Sequence, residues 1–314
     1  MTETSKTQFI VTIDTETYLV DGNLVPFDPN IYGTFPDGTY GTERIMDVCD
    51  QYGARATFFV DVYMHHRYGH DPVAELCAKI HERGHDVQLH THTSWLPGSR
   101  SDLLNHYEYD EQVEILTEGR DLIEEWTGRT PRAFRAGAYG ANLDTIRALK
   151  KTGFTIDSSY FPGHRNCELS RQIDSGVTNS PFLIEGILEL PVTTYWLLNT
   201  PLKRKNSKVD FNACSLSELQ NVIPKFIRGR MKYVVLFLHS FSFIKWQGSG
   251  IERNLSPLKR FERTMAAIAE RDDAGFVAVD QVQDLRDDST GGPDFVPTLN
   301  PIRILSRAAR RLGS

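Results

Sequence analysis

The 314-residue sequence predicts an α/β fold, a distorted (β/α) barrel of seven or eight parallel strands. Three observations carry that expectation. Short apolar runs of strand length recur along the chain. Helical stretches with recognisable ends lie between them, and such alternation implies parallel pairing with right-handed crossovers. Each run also stops at, or just before, polar and reactive side chains, as expected where the loops after C-terminal strand ends converge on one mouth.

Taken in order, Phe9 to Ile13 leads into Asp14 and Glu16, and Ala56 to Val60 ends in Asp61. Asp71-Pro72 offers an N-cap followed by proline at the first helical position, with Gly84 as the stop. Asp86 to Leu89 then leads into His90 and His92, and Ala133-Phe134 into Arg135. Asn142 caps a helix with Leu143, Ile146 and Leu149 on one face, closed by Gly153. Phe154 to Ile156 leads into Asp157, and Ile187 to Val192 into Thr193, Thr194 and Tyr195. A helix begins near Ser215 or Ser217, and Val234 to Leu238 leads into His239. Ser256-Pro257 opens a helix with Phe261, Met265 and Ile268 at helical spacing, before Gly275 and a last strand, Phe276 to Val279.

Length and the lack of a clean linker favour one domain over residues 1–300, with insertions at about 21–41 and 196–232. The first insertion carries Phe27, Tyr32, Phe35 and Tyr40, which suits an ordered wall beside a pocket. Residues 301–314 form a basic tail with Ile304, Leu305, Ala308, Ala309 and Leu312 on one helical face. Such a helix can sit on an anionic membrane surface, or pack on the barrel, or fray.

The composition, 40% hydrophobic and 24% charged, is that of a globular protein. A net charge of −6 and no basic stripe argue against nucleic acid as a partner. No apolar segment approaches the ~20 residues of a membrane span. The polar first residues and the scattered Cys49, Cys77, Cys167 and Cys214 suggest a reducing, cytoplasmic setting.

Asp14 and Glu16 share a face at i and i+2. Two carboxylates that close raise each other's pKa unless a cation sits between them, so a metal held by one with the other free as base resolves the conflict. His90 and His92 can bind one divalent ion together with a carboxylate from elsewhere, a hydrolytic arrangement when coordination positions stay open. Arg135, Asp157 and His239 then supply an orienting cation, a tuning carboxylate and an acid or base. Each alone is commonly a structural ion pair, but the five clusters occur in one order along the chain.

That order resembles the polysaccharide deacetylase family, the NodB-homology domain of carbohydrate esterase family four. Thr12-Ile13-Asp14-Thr15-Glu16 is similar to the first motif, Thr-Phe-Asp-Asp, with Thr15 at the usual second aspartate. The resemblance implies that Asp14 is the general base and that Glu16 takes over the metal, as in branches with Asp-x-Glu. Gly84-His85-Asp86 with His90 to Ser94 resembles the second motif, and Ser94 stands at its second histidine. His92 or Ser94, or a water, then completes the site with His90. Arg135 to Gly140, Asp157-Ser158-Ser159 and Leu236 to His239 resemble the last three motifs. They imply that Arg135 orients the base, Asp157 tunes the acid and His239 is that acid.

The resemblance implies a NodB-like barrel and a hydrolase of carbon–nitrogen bonds other than peptide bonds. A divalent metal, with zinc the expected ion, serves removal of an acetyl or formyl group from an amino-sugar of a bacterial polysaccharide or lipid-linked precursor. The expected partner is a carbohydrate bearing an N-acyl amino-sugar, with Tyr139 and Trp95 as binding residues and peripheral membrane contact through the tail. The expected place is the cytoplasm, at the inner face of the membrane. A metal-free amidohydrolase on a small amide, or a catalytically silent sugar-binding protein, are the alternatives.

Overall fold

The computed structural model describes residues 6–20, 22–173, 178–248, 250–283 and 294–300. Nine strands form one curled sheet: β1 Thr7–Thr15, β2 Thr57–Asp61, β3 Asp86–Thr91, β4 Ala133–Ala136, β5 Ile156–Asp157, β6 Phe182–Ile184, β7 Ile187–Glu189, β8 Tyr233–His239 and β9 Ala274–Phe276. Their spatial order is β6-β7-β5-β4-β3-β2-β1-β8, with β9 beside the start of β1. Every pairing is parallel except β6 with β7, so eight strands run in one direction, as the α/β expectation required.

The curl does not close as a ladder. Between β7 and β8 the chain from Thr193 to Val209 fills the seam: Val209 N–H donates to the Thr193 carbonyl, and Phe237 N–H donates to that of Val209. The fold is therefore an open half-barrel whose gap is plugged by an inserted segment. Alternation along each strand splits the core in two. Ile10, Phe59, Ala133, Ile156, Leu188, Tyr233 and Val235 fill the interior. Phe9, Val11, Phe58, Val60, Phe134, Val234 and Leu236 face the outer layer.

That layer is covered by α1 Thr42–Gln51, α2 His70–Glu82, α3 Tyr109–Thr127, α4 Leu143–Lys151, α5 Leu216–Arg228 and α6 Leu255–Ala269. Asn142 accepts from Thr145 N–H and Ser215 from Glu218 N–H, so both expected caps form, the second at Ser215 rather than Ser217. Two helices open earlier than their prolines suggested, with Gly69 and Asn254 as the caps. The last strand lies at Ala274–Phe276, two residues earlier than expected. The insertion near residue 196 is a hairpin, Thr194–Asn199 with Arg204–Lys208, followed by α5. All four cysteines are free and buried. The basic tail of residues 301–314 lies outside the described residues. Among the described residues no helix is long and apolar enough to cross a membrane.

Candidate metal and catalytic site

Strand alternation brings Thr12 and Asp14 of β1, Phe59 and Asp61 of β2, His90 of β3 and Arg135 of β4 to the same interior face. Glu16 follows β1 directly. Ser240 clips it to the end of β8: Glu16 N–H donates to Ser240 Oγ at 3.3 Å, and that hydroxyl donates to the Glu16 carbonyl at 2.9 Å.

One oxygen of Glu16, Oε2, lies 3.1 Å from His90 Nε2 and 2.7 Å from His92 Nε2. The far nitrogens are held too. His90 Nδ1 donates to the Arg135 carbonyl at 2.7 Å, which fixes the tautomer and turns Nε2 toward Glu16. His92 Nδ1 faces both oxygens of Asp102 at 3.0 Å. Burial pushes Glu16 up, but His92 and His90 outweigh it and hold the carboxyl well below its ordinary range. Burial pulls His92 down, yet Glu16 and Asp102 raise it well above an ordinary imidazole.

Two imidazoles and one carboxylate, their ligand atoms all within 4.8 Å of one another, are the donor set of a divalent transition metal. The residues therefore fit such an ion. Ser94 does not join them. It is exposed, and its hydroxyl bonds to Asp102 behind His92. Gly137 is required beside His92, because a Cβ there would come within 2.9 Å of the ring. A second trio, His65, His66 and Glu118, also lies within 4.8 Å, on a more exposed surface.

Arg135 is fully buried and spans the interior. Its guanidinium donates to Asp14 Oδ1 at 2.7 Å, to Thr12 Oγ1 at 3.1 Å and to the Ser158 carbonyl and hydroxyl, and it sits over the Phe59 ring. Burial raises Asp14, but Arg135, His90 and His239 pull harder, so the carboxyl is held below its usual value and is ionised. Its other oxygen is 4.0 Å from His90 Nε2. His239, at the end of β8, places Nε2 3.7 Å from Glu16 Oε1 and stacks on Phe241.

Two expected site residues stand elsewhere. Asp157 does not tune His239. It pairs in register with Phe134 on the outer face, while Ser158, one residue on, turns inward to Arg135. Its partners are Ser159 Oγ, at 2.6 Å, and Glu189, the residue opposite it on β7. Burial raises Asp157 against the pull of its hydrogen bond with Glu189, while burial and the neighbouring Asp157 raise Glu189 further, so the pair retains a proton. Trp95 is 7% exposed and packs in the larger core cluster against Tyr68, so its ring is turned into the core. Of the first insertion's aromatics, Phe27 packs between Tyr32 and Tyr68, and Phe35 against Tyr40.

Tyr139 does line the site region. Ala138 and Tyr139 both adopt positive φ, 49° and 62°, in the turn after Arg135, a costly conformation for side-chain-bearing residues. Lys208, from the inserted hairpin, donates to the Tyr139 hydroxyl at 2.8 Å, pairs with Asp210 at 3.3 Å and lies over the Phe237 ring. Sequence reading noted Lys208 only within a basic stretch, because nothing local places a hairpin lysine in the barrel mouth. Asp61 was legible as the polar end of an apolar run, but it was not joined to the site. Its carboxyl is fully buried beside His90, with its pKa pushed up to about 7 by that burial.

A family model for polysaccharide deacetylases matches residues 26–156, a segment that holds His90, His92 and Arg135. A peptidoglycan deacetylase-like protein of Gibberella zeae is 26% identical over 178 residues, 56% of this chain and 47% of that protein. The chain thus spans about half the length of the curated relative it matches. A Mycobacterium smegmatis structure assigned to the polysaccharide deacetylases superposes with a TM-score of 0.57 at 20% identity, covering 88% of this chain and 89% of the other. A 4-α-glucanotransferase from Thermococcus litoralis gives 0.58 at 10% identity, with 94% of this chain and 42% of that one covered. At such identities these two likenesses speak for the half-barrel fold alone. The motifs, the matched segment and the fold thus agree in their likeness to the polysaccharide deacetylases.

Proposed function

We propose that this protein is a divalent-metal-dependent hydrolase that removes an N-acyl group, acetyl or formyl, from an amino-sugar of a glycan. One observation carries the reading: an ionised, arginine-fixed carboxylate, Asp14, stands beside a separate three-ligand group formed by Glu16, His90 and His92. The two acidic residues thus have different environments and different work.

Glu16, His90 and His92 would hold the ion, which when bound supplies a Lewis acid for the acyl carbonyl and for the attacking water. Asp14 takes the proton from that water; Arg135 keeps its carboxylate aimed and ionised. His239, across Glu16 from the two ligand histidines, delivers a proton to the departing amine from its imidazolium form, which burial disfavours and the Glu16 and Asp14 carboxylates favour. The Tyr139 ring walls the substrate side. A glycan precursor or lipid-linked saccharide in the cytoplasm, met with help from the basic tail, is the substrate setting this reading favours.

The test is release of acetate or formate. Chelator-stripped protein reloaded with zinc is incubated with a panel of N-acetyl and N-formyl amino-sugars and oligosaccharides. Turnover that vanishes in Asp14→Asn and on chelation supports the reading. An inert result across the panel, or turnover indifferent to chelators, contradicts it.

A further inference from the structure

Among the described residues, Asp61 is the interior carboxylate at the mouth without a counter-charge of its own. Asp14 has Arg135, Glu16 has two imidazoles and Asp210 has Lys208. Asp61 ends β2 in register with His90, on the same interior face as Phe59, whose ring lies under the Arg135 guanidinium. It is 0% exposed, and its oxygens make no side-chain hydrogen bond; the one hydrogen-bonding group that reaches them is the His92 backbone N–H. Buried polar groups are nearly always satisfied, so a fully buried acid with so little to bond to calls for an explanation.

The charged groups that reach it are few. His92 and His90 attract it, the His92 backbone N–H bonds it and Glu16 repels it, so the groups that act on it most are those of the metal-ligand trio. Asp61 stands outside the trio whose donor atoms crowd within 4.8 Å, so it is not a fourth member of that tight set. A carboxylate so placed gains its missing counter-charge when positive charge occupies the trio, directly or through a water bonded to its oxygens.

We propose that Asp61 is the outer carboxylate of the metal centre, adding a second negative charge to that of Glu16 and setting how tightly a divalent cation is held. This rests on the reading that Glu16, His90 and His92 bind such a cation. It assigns a role to a residue that the sequence motifs do not include, and it predicts a centre more acidic than two histidines and one glutamate imply.

The experiment is zinc binding to the chelator-stripped full chain, by competition with a chromogenic chelator, in wild type, Glu16→Gln, Asp61→Asn and Asp61→Glu. Asp61→Asn should bind zinc 10- to 100-fold more weakly with stoichiometry unchanged, the scale seen for outer partners of metal sites. Asp61→Glu, which keeps the charge, should recover most of that loss. Asp61→Ser, smaller than either, repeats the test should the asparagine amide not be accommodated. If Glu16→Gln abolishes binding while the neutral Asp61 variants match wild type within twofold, the Asp61 proposal alone falls. If wild type binds no zinc, or Glu16→Gln binds it normally, the metal reading falls and this proposal with it.

Discussion

Asp102 presents both carboxylate oxygens to His92 Nδ1 at 3.0 Å, while the other nitrogen of that ring meets Glu16. A carboxylate behind a ligand histidine fixes the ring and raises its basicity. Asp102→Asn should therefore weaken zinc binding by about 10- to 100-fold. Competition titration reads this directly, and circular dichroism should show an unchanged fold. An unchanged affinity would make Asp102 a surface partner only.

The choice between His92 and Ser94 separates cleanly by mutation. His92→Ala removes a donor that lies 2.7 Å from Glu16, so zinc binding should drop to the level of Glu16→Ala. Ser94→Ala removes only an exposed hydroxyl bonded to Asp102, and its affinity should stay within a few-fold of wild type. The reverse ranking would put Ser94, or a water on it, at the metal.

Arg135 is fully buried, so its partners are those the interior supplies. Arg135→Lys keeps the charge but loses the fork that reaches Asp14, Thr12 and Ser158 together. Disturbing a buried pair of this kind costs about 3–5 kcal/mol when one partner is removed, and the lysine should cost a sizeable part of that in urea unfolding. Turnover should fall by at least ~10²-fold, because the base loses its direction. A variant with wild-type kcat would show that Asp14 needs no such clamp.

The Asp157–Glu189 pair makes stability depend on pH. Burial raises both folded-state values above those of the unfolded chain, and repulsion from Asp157 raises Glu189 further. Their contribution is therefore complete in acid, below the ordinary carboxylate range, and is lost as pH rises through the raised values. Glu189→Gln keeps the acceptor used by Tyr160 N–H and removes the repulsion. Its melting temperature, compared with wild type from pH 5 to pH 9, should gain on wild type as pH increases. Parallel curves would mean the pair does not share a proton.

Much of this was legible in the sequence, for a physical reason. Apolar runs ending in Asp14, His90, Arg135 and His239 are strands whose C-terminal ends meet, and in the structure all four lie at one end of the curl. What escaped depended on sheet face and on distant chain. Asp157 and Ser158 are adjacent, and a period of two decides which one looks inward. The arginine took the serine, and the aspartate went to Glu189. Trp95 follows the histidines in sequence, but the turn of Thr93–Trp95 folds its ring back into the core. Asp102 and Lys208 reach the site from a loop and a hairpin with no periodicity to place them. The open seam between β7 and β8 was hidden for the same reason, since the segment from Thr193 to Val209 that fills it is a hairpin rather than a strand of the sheet.

The most direct test is crystallographic: crystals grown with zinc, with diffraction data collected on either side of the zinc absorption edge. A single strong anomalous peak should lie about 2.0–2.2 Å from His90 Nε2, His92 Nε2 and a Glu16 carboxylate oxygen. No peak among these three side chains, or one confined to His65, His66 and Glu118, would contradict the account.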